Sequence, residues 1–151
     1  MSNAPTTTRQ IDPRGHRFGA GASVVLLAIA FVFNVPLIVG LVGLTLAVSA
    51  WFGTRYSALG RPWPYVRRAL KIGPPKELES ELPPRFAQAL GTVGLGLATL
   101  LFLVGQSPLA WVVTGAVGAL QFVLAATGYC LGCRLYFLRW YAPALFARLA
   151  R

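Results

Sequence analysis

The chain has 151 residues, 56% hydrophobic and 12% charged, and its 14 Lys and Arg outnumber four Asp and Glu to give a formal net charge of +10. That balance excludes an ordinary soluble domain and leaves little chain for one beside the long apolar stretches. The cations read as a collar against anionic lipid headgroups, at about 1 kcal/mol per residue, rather than as a nucleic-acid surface; the lipid bilayer is the expected partner and nucleic acid is not.

In chain order, an arm (1–17) carries Arg9, Arg14 and Arg17. Two stretches without Asp, Glu, Lys, Arg or His follow, Phe18–Phe33 and Val35–Phe52, separated only by Asn34. They predict a first helical hairpin (18–52). The segment 53–85 holds Arg55, Arg61, Arg67, Arg68, Lys71, Lys76 and Arg85. Phe86–Val104 and Leu109–Tyr129, separated by Gly105–Pro108, predict a second hairpin (86–129), and the remainder (130–151) carries Arg134, Arg139, Arg148 and Arg151. Stretches of about 16 to 21 residues rise on the order of 24 to 31 Å, which suits one bilayer crossing each. The pattern predicts an all-α integral membrane protein, one membrane domain over 1–151 with four transmembrane helices. Segments rich in Lys and Arg stay cytoplasmic. Both termini and the loop 53–85 are therefore expected inside the cytoplasmic membrane, with the two short joints outside. The first span reads as an uncleaved anchor, because its apolar core runs into the second through Asn34 and leaves no soluble start. Trp51, Tyr56, Trp63, Tyr65, Tyr136, Trp140 and Tyr141 fall at the inner interface and Trp111 at the outer one, where aromatic rings bury a body and keep a tip wet.

The two hairpins read as tandem parallel repeats. Arg17-Phe18 opens the first span and Arg85-Phe86 the third; Pro36 and Pro108 start the second and fourth, followed at the same spacings by Gly43 and Ala47, and by Gly115 and Ala119. Gly43/Ala47, Gly115/Ala119 and Gly94/Ala98 each share a helix face, which suits close backbone approach in lipid. Ser49 and Gln121 hold equivalent positions and can hydrogen-bond between helices.

In the central loop, Trp63–Ile72 mixes apolar and basic residues in a pattern that predicts a short interfacial helix ended by Gly73-Pro74-Pro75. Glu77, Glu79 and Glu81 read as a solvated acidic face. The tail Arg134–Arg151 predicts a second interfacial helix, bent at Pro143.

The candidate chemistry lies in Cys130-Leu131-Gly132-Cys133, which contains the only two cysteines. Such a pair can close a small disulfide, share a metal, or pass a persulfide. A neighbouring cation such as Arg134, or a helix beginning there, would favour the reactive thiolate. A closed zinc site needs four ligands, and the chain offers these two and His16; no metal or cofactor is assigned. Asp12-Pro13-Arg14-Gly15-His16-Arg17 is expected on the same membrane face. His16 could shuttle a proton for a thiol, although the segment reads first as a helix cap with headgroup contacts. The spans hold no ionisable residue, which argues against an ion-coupled transporter.

Asp12-Pro13-Arg14-Gly15 with Arg17-Phe18, Phe52-Gly53-Thr54-Arg55-Tyr56-Ser57, Gly73-Pro74-Pro75-Lys76-Glu77-Leu78-Glu79, Pro83-Pro84-Arg85-Phe86-Ala87-Gln88 and Thr127-Gly128-Tyr129-Cys130-Leu131-Gly132-Cys133 stand together here. In this combination the chain resembles a bacterial membrane family, domain of unknown function 4395, over roughly residues 11 to 140. The resemblance implies an integral membrane protein and supplies no activity or catalytic residue. Two functions remain. In the first, Cys130 and Cys133 perform thiol-redox or sulfur-transfer chemistry with a soluble thioredoxin-like protein or sulfurtransferase. In the second, the protein is a non-catalytic scaffold or accessory subunit of a larger complex.

Overall fold

The computed structural model of the chain describes residues 9–75 and 77–138. Its elements, in order, are β1 (Gln10–Ile11), α1 (Pro13–Val32), α2 (Pro36–Phe52), a 3-10 turn (Thr54–Tyr56), α3 (Trp63–Ala69), β2 (Glu79–Ser80), α4 (Leu82–Leu103), α5 (Ser107–Thr127) and α6 (131–138). Asp12 starts α1: its carboxylate accepts the Arg14 N–H at 2.9 Å, and Pro13 takes the first helical position, where a missing N–H costs nothing. After α1, Asn34 turns left-handed (φ 53°) and the Val35 N–H donates to the Ala30 carbonyl at 2.8 Å. The joint between α4 and α5 is built the same way: Gly105 has φ 81° and the Gln106 N–H donates to the Leu101 carbonyl at 2.8 Å. Both turns satisfy carbonyls that a helix end would leave bare.

The helices α1, α4 and α5, of 20, 22 and 21 residues, are long and apolar enough to cross a membrane. The expectation of four matched spans is met only in part, because α2 is apolar but 17 residues long, bounded by Pro36 and by Gly53 at φ 103°. The outer surface points the same way. Phe31, Leu37, Leu44, Leu103, Val112 and Phe122 are exposed, where a water-soluble bundle carries polar side chains. The fold is that of a multi-pass membrane protein.

Helix α2 packs on α4 and α1 on α5, while α1 with α2 and α4 with α5 close the ring. Inside lie Leu27, Ala30, Val39, Val42, Leu46, Leu95 and Ala98. Phe31 and Phe102 both meet Trp111 edge-on, with ring centroids 5.3 and 4.8 Å apart, at the end of the bundle that carries the short turns. Buried Ser49 donates its hydroxyl to the Gln88 side-chain oxygen across the α2–α4 contact. Gly43 and Gly94 sit at close approaches, since a Cβ would lie 3.1 Å from the Leu95 Cβ and 2.7 Å from the Val117 Cγ2. Gly115 does not: nothing lies within 4 Å of its Cβ position, and it and Ala119 are exposed. The expected equivalence of Gly43/Ala47 and Gly115/Ala119 therefore fails, because α5 turns Ala110, Thr114 and Leu124 inward instead.

Two arginines tie the ring together. Arg85, in the first turn of α4, donates to the Ala50 and Trp51 carbonyls at the end of α2, at 3.0 and 2.8 Å. Arg17, in α1, donates to the Ala125 and Ala126 carbonyls at the end of α5, at 3.1 and 3.2 Å. Each guanidinium satisfies carbonyls that a helix leaves open and sits at the negative end of that helix.

The charged end of the bundle is ordered by a few polar contacts. β1 and β2 pair antiparallel, Gln10 opposite Ser80 and Ile11 opposite Glu79, a strand pair the all-α expectation omits. Asp12 accepts the Trp63 Nε1–H at 3.0 Å and lies 3.7 Å from the Arg67 guanidinium, so one carboxylate caps α1 and seats α3. The central helix is real but ends at Ala69, with Lys71 at φ 52°. The acidic cluster divides. Glu77 and Glu79 are exposed, as a solvated face requires, but Glu81 is buried and accepts the Thr54 N–H and hydroxyl at 2.6 and 2.9 Å. A carboxylate buried beside two donors holds the loop against α4 rather than meeting water. Of the anticipated tail helix, 134–138 is helical as part of α6, which starts three residues earlier than expected, and 139–151 lies outside the described residues.

Candidate functional site

The cysteines stand where α5 gives way to α6. Gly128, left-handed at φ 76°, ends α5 with its N–H on the Leu124 carbonyl at 2.9 Å. After Tyr129 the chain enters α6, so Cys130 takes the capping position: the Cys133 N–H donates to the Cys130 Sγ at 3.1 Å. The two cysteines form a disulfide. Both sulfurs thus belong to the first turn of a helix, and a thiolate at Cys130 would lie against unpaired N–H groups and the positive end of the helix dipole. Helix α6 is held on the start of α4. A Cβ on Gly132 would come 2.7 Å from the Ala87 Cβ, so only glycine permits this approach, and Phe86 stacks with Tyr136 at 5.8 Å between centroids.

His16 reaches the same place from the other end of the sequence. It lies in the first turns of α1, which packs on α5. Its Nε2 is buried without a hydrogen-bond partner among the described residues, an uncommon state for a buried polar atom. One ring nitrogen of His16 and the two sulfurs lie within 4.8 Å of one another. The expected proximity of His16 to the cysteines is thus met as direct juxtaposition. Arg134 holds its guanidinium over the Tyr129 ring at 5.2 Å.

Three cavities meet around this group. One of about 390 Å³ touches both cysteines and is bordered by Arg17, Glu79 and Arg134. A second, of about 450 Å³, touches Cys130 but not Cys133 and is walled largely by leucines of α4, α5 and α6. A third, of about 320 Å³, is bordered by Arg9, Asp12 and Arg55. His16, Gln88 and Gln121 line both the second and the third. A hydrogen-bonding role is expected from sequence for Gln121 and none for Gln88; the signal was two amides in otherwise apolar spans, on helices that prove to be neighbours.

The profile of a family described as Domain of unknown function (DUF4395) matches residues 11–140. The chain belongs to this family. The matched region takes in every element that builds the DUF4395 site, from Asp12 at the start of α1 to the described end of α6. No curated protein and no solved structure matches the chain.

In chemical terms, the DUF4395 site combines a dithiol/disulfide couple, a helix N-terminus that favours one thiolate, and an imidazole within reach of both sulfurs. That set can break and reform a disulfide while moving the accompanying protons.

Proposed function

We propose that this is a four-span protein of the cytoplasmic membrane, built from two parallel-repeat hairpins, whose Cys130–Cys133 pair exchanges electrons with a soluble dithiol protein on the cytosolic side. The basic residues at the site end of the bundle support that sidedness. The matched turns at Asn34 and Gly105, and the matched carbonyl contacts of Arg17 and Arg85, support the repeat. The observation that carries the chemistry is the juxtaposition of His16, whose buried Nε2 has no hydrogen-bond partner among the described residues, with a disulfide at a helix N-terminus.

In the exchange, a partner thiolate enters the cavity that touches both cysteines and attacks Cys133 Sγ. The Cys130–Cys133 bond breaks and Cys130 leaves as the thiolate, which the helix end stabilises; a better-stabilised leaving group departs faster. The second partner thiol then attacks the mixed disulfide and releases Cys133. The partner departs oxidised, and Cys130 and Cys133 hold its two electrons. His16 takes and returns a proton as the thiols form.

The test is trapping in living cells by acid quench and alkylation, read by mass spectrometry. Cys130→Ser should retain a mixed disulfide through Cys133, and Cys133→Ser should retain far less. Cysteines that stay reduced under oxidant challenge, with no mixed disulfide to any protein, would overturn the redox reading and leave the scaffold reading, under which replacing both cysteines has no phenotype. A metal reading has one observation in its favour: with the cysteines reduced, two sulfurs and one imidazole supply three zinc ligands. Stoichiometric zinc in protein purified under reducing conditions, lost in His16→Ala, would favour it.

A further inference from the structure

We infer that the apolar cavity beside Cys130 binds the ring of a lipid-soluble quinone, which takes the electrons that Cys130 and Cys133 collect. This rests on the thiol-exchange reading and names its second substrate. A disulfide that accepts electrons from a soluble partner must pass them on before it can act again, and the cavities on its two sides differ. The one bordered by Arg17, Glu79 and Arg134 is polar-edged and touches both cysteines, as a protein thiol requires. The other, about 450 Å³, touches Cys130 alone among the cysteines. Its volume falls in the range of small-molecule sites. Leu90, Leu120, Leu131, Leu135 and Leu138 line it and are themselves exposed on the outer, apolar surface of the bundle. A ligand that reaches this cavity through those leucines arrives from the lipid.

The polar groups on its wall select what that ligand carries. Gln88, Gln121 and His16 are the uncharged polar side chains that line it, and Arg134, which it shares with the polar-edged cavity, is its one charged residue among the described residues. The Gln88 oxygen already accepts from Ser49, so what Gln88 can offer a ligand is its amide N–H. Gln121 has a second amide, and the buried His16 Nε2 has no partner among the described residues. Donors on an apolar wall next to a thiolate suit a ring with carbonyl oxygens and no charge. Arg134 could meet an anionic headgroup on this wall, but neither a fatty acid nor a phospholipid accepts two electrons. A quinone meets both demands.

The step balances without a further reagent. Cys130–SH and Cys133–SH lose two electrons and two protons and form the Cys130–Cys133 bond. The quinone gains both and leaves as the quinol. Cys130, the sulfur that faces the ring cavity, delivers the electrons, and its bond to Cys133 closes as they leave. His16, Gln88 and Gln121 also border the polar cavity lined by Arg9, Asp12 and Arg55, so the group that handles the protons is shared by the lipid-side and solvent-side spaces.

The experiment uses the full chain in phospholipid nanodiscs, reduced with dithiothreitol and freed of it, then mixed with a decyl-tailed benzoquinone. Quinone loss is followed by its ultraviolet absorbance and thiol loss by alkylation. The reduced protein should consume one quinone per dithiol and regain its disulfide, and the Cys130→Ser/Cys133→Ser double variant should consume none. Leu90→Trp and Leu120→Trp fill the cavity from two different helices at exposed positions. Each should slow quinone reduction by about tenfold or more, the scale at which apolar pockets discriminate by shape, while the rate at which dithiothreitol reduces the disulfide stays unchanged. Quinone reduction at the unmodified rate in both tryptophan variants, or none in the unmodified protein whose disulfide still exchanges with dithiothreitol, would overturn the quinone site and leave the thiol reading standing. A disulfide that dithiothreitol does not reduce in the native protein would overturn both.

Discussion

Gly132 has no room for a side chain. A Cβ there would meet Ala87 Cβ at 2.7 Å and Ala87 Cα at 2.9 Å, and neither α4 nor the short turn after Cys130 can move aside without moving the other. Gly132→Val should therefore lift the start of α6 off α4, at a cost of about 1–3 kcal/mol, the usual scale of overpacking. Thermal unfolding in detergent should show the loss. The rate at which a small thiol reduces the disulfide should rise in the same variant, since displacing α6 opens Cys130 and Cys133 to solvent. An unchanged reduction rate would mean that the contact with Ala87 does not guard the pair. The cysteine spacing made Cys130 and Cys133 legible as a candidate pair, while the contact of Gly132 with Ala87 was not, since it depends on α6 packing against α4. His16 was legible only as lying on the same face, because its meeting with the sulfurs depends on α1 packing against α5, which no local pattern encodes. Gln88 was not legible at all: one amide in an apolar helix looks the same whether it joins two helices or lines a cavity.

Helix faces are where sequence and structure part most clearly. The spans were legible because each is apolar along its length and is bounded by proline, glycine or charge. The same uniformity hides which side faces inward: a helix that meets lipid outside and leucine inside carries little amphipathic contrast. Gly43 and Gly115 hold matching places after Pro36 and Pro108, yet only Gly43 has a neighbour to exclude. Gly43→Leu should lower stability in detergent by about 1–3 kcal/mol as it collides with Leu95, and Gly115→Leu should change it by less than about 0.5 kcal/mol, as surface positions do. Equal losses in the two variants would refute the inward assignment of α5. The arginine contacts give a second test at this scale. Arg85→Gln and Arg17→Gln each remove charge-assisted bonds to two helix-end carbonyls and should each cost on the order of 1–2 kcal/mol. The two contacts sit at the ends of different helices, so the double variant should show close to the sum. Lys in place of either arginine should recover only part of the loss, because an ammonium lacks the planar fork.

For the molecule as a whole, the distribution of charge predicts an orientation that labelling can read. In a background without Cys130 and Cys133, a cysteine at Ser107, in the turn end of the bundle, should react with a membrane-impermeant maleimide applied to intact cells. A cysteine at Glu77, which is exposed in the charged end, should react only after the membrane is opened; the reverse pattern would invert the proposed topology. The architecture at this scale was legible in part: apolar stretches in adjacent pairs predict neighbouring helices, and α1 packs with α2 and α4 with α5. The strand pair of Gln10–Ile11 with Glu79–Ser80 was not, because two residues are too few to carry a period. The contact of Arg17 with the end of α5 has a consequence in time. A ribosome delivers His16 and Arg17 well before Cys130 and Cys133, and the contacts that unite them wait for α5. An unfinished chain therefore carries an imidazole without sulfur and a guanidinium without its carbonyls. Assembly of the site therefore waits on α5 and α6, so a product that stops before them, inserted in the membrane, is inert toward passing thiols.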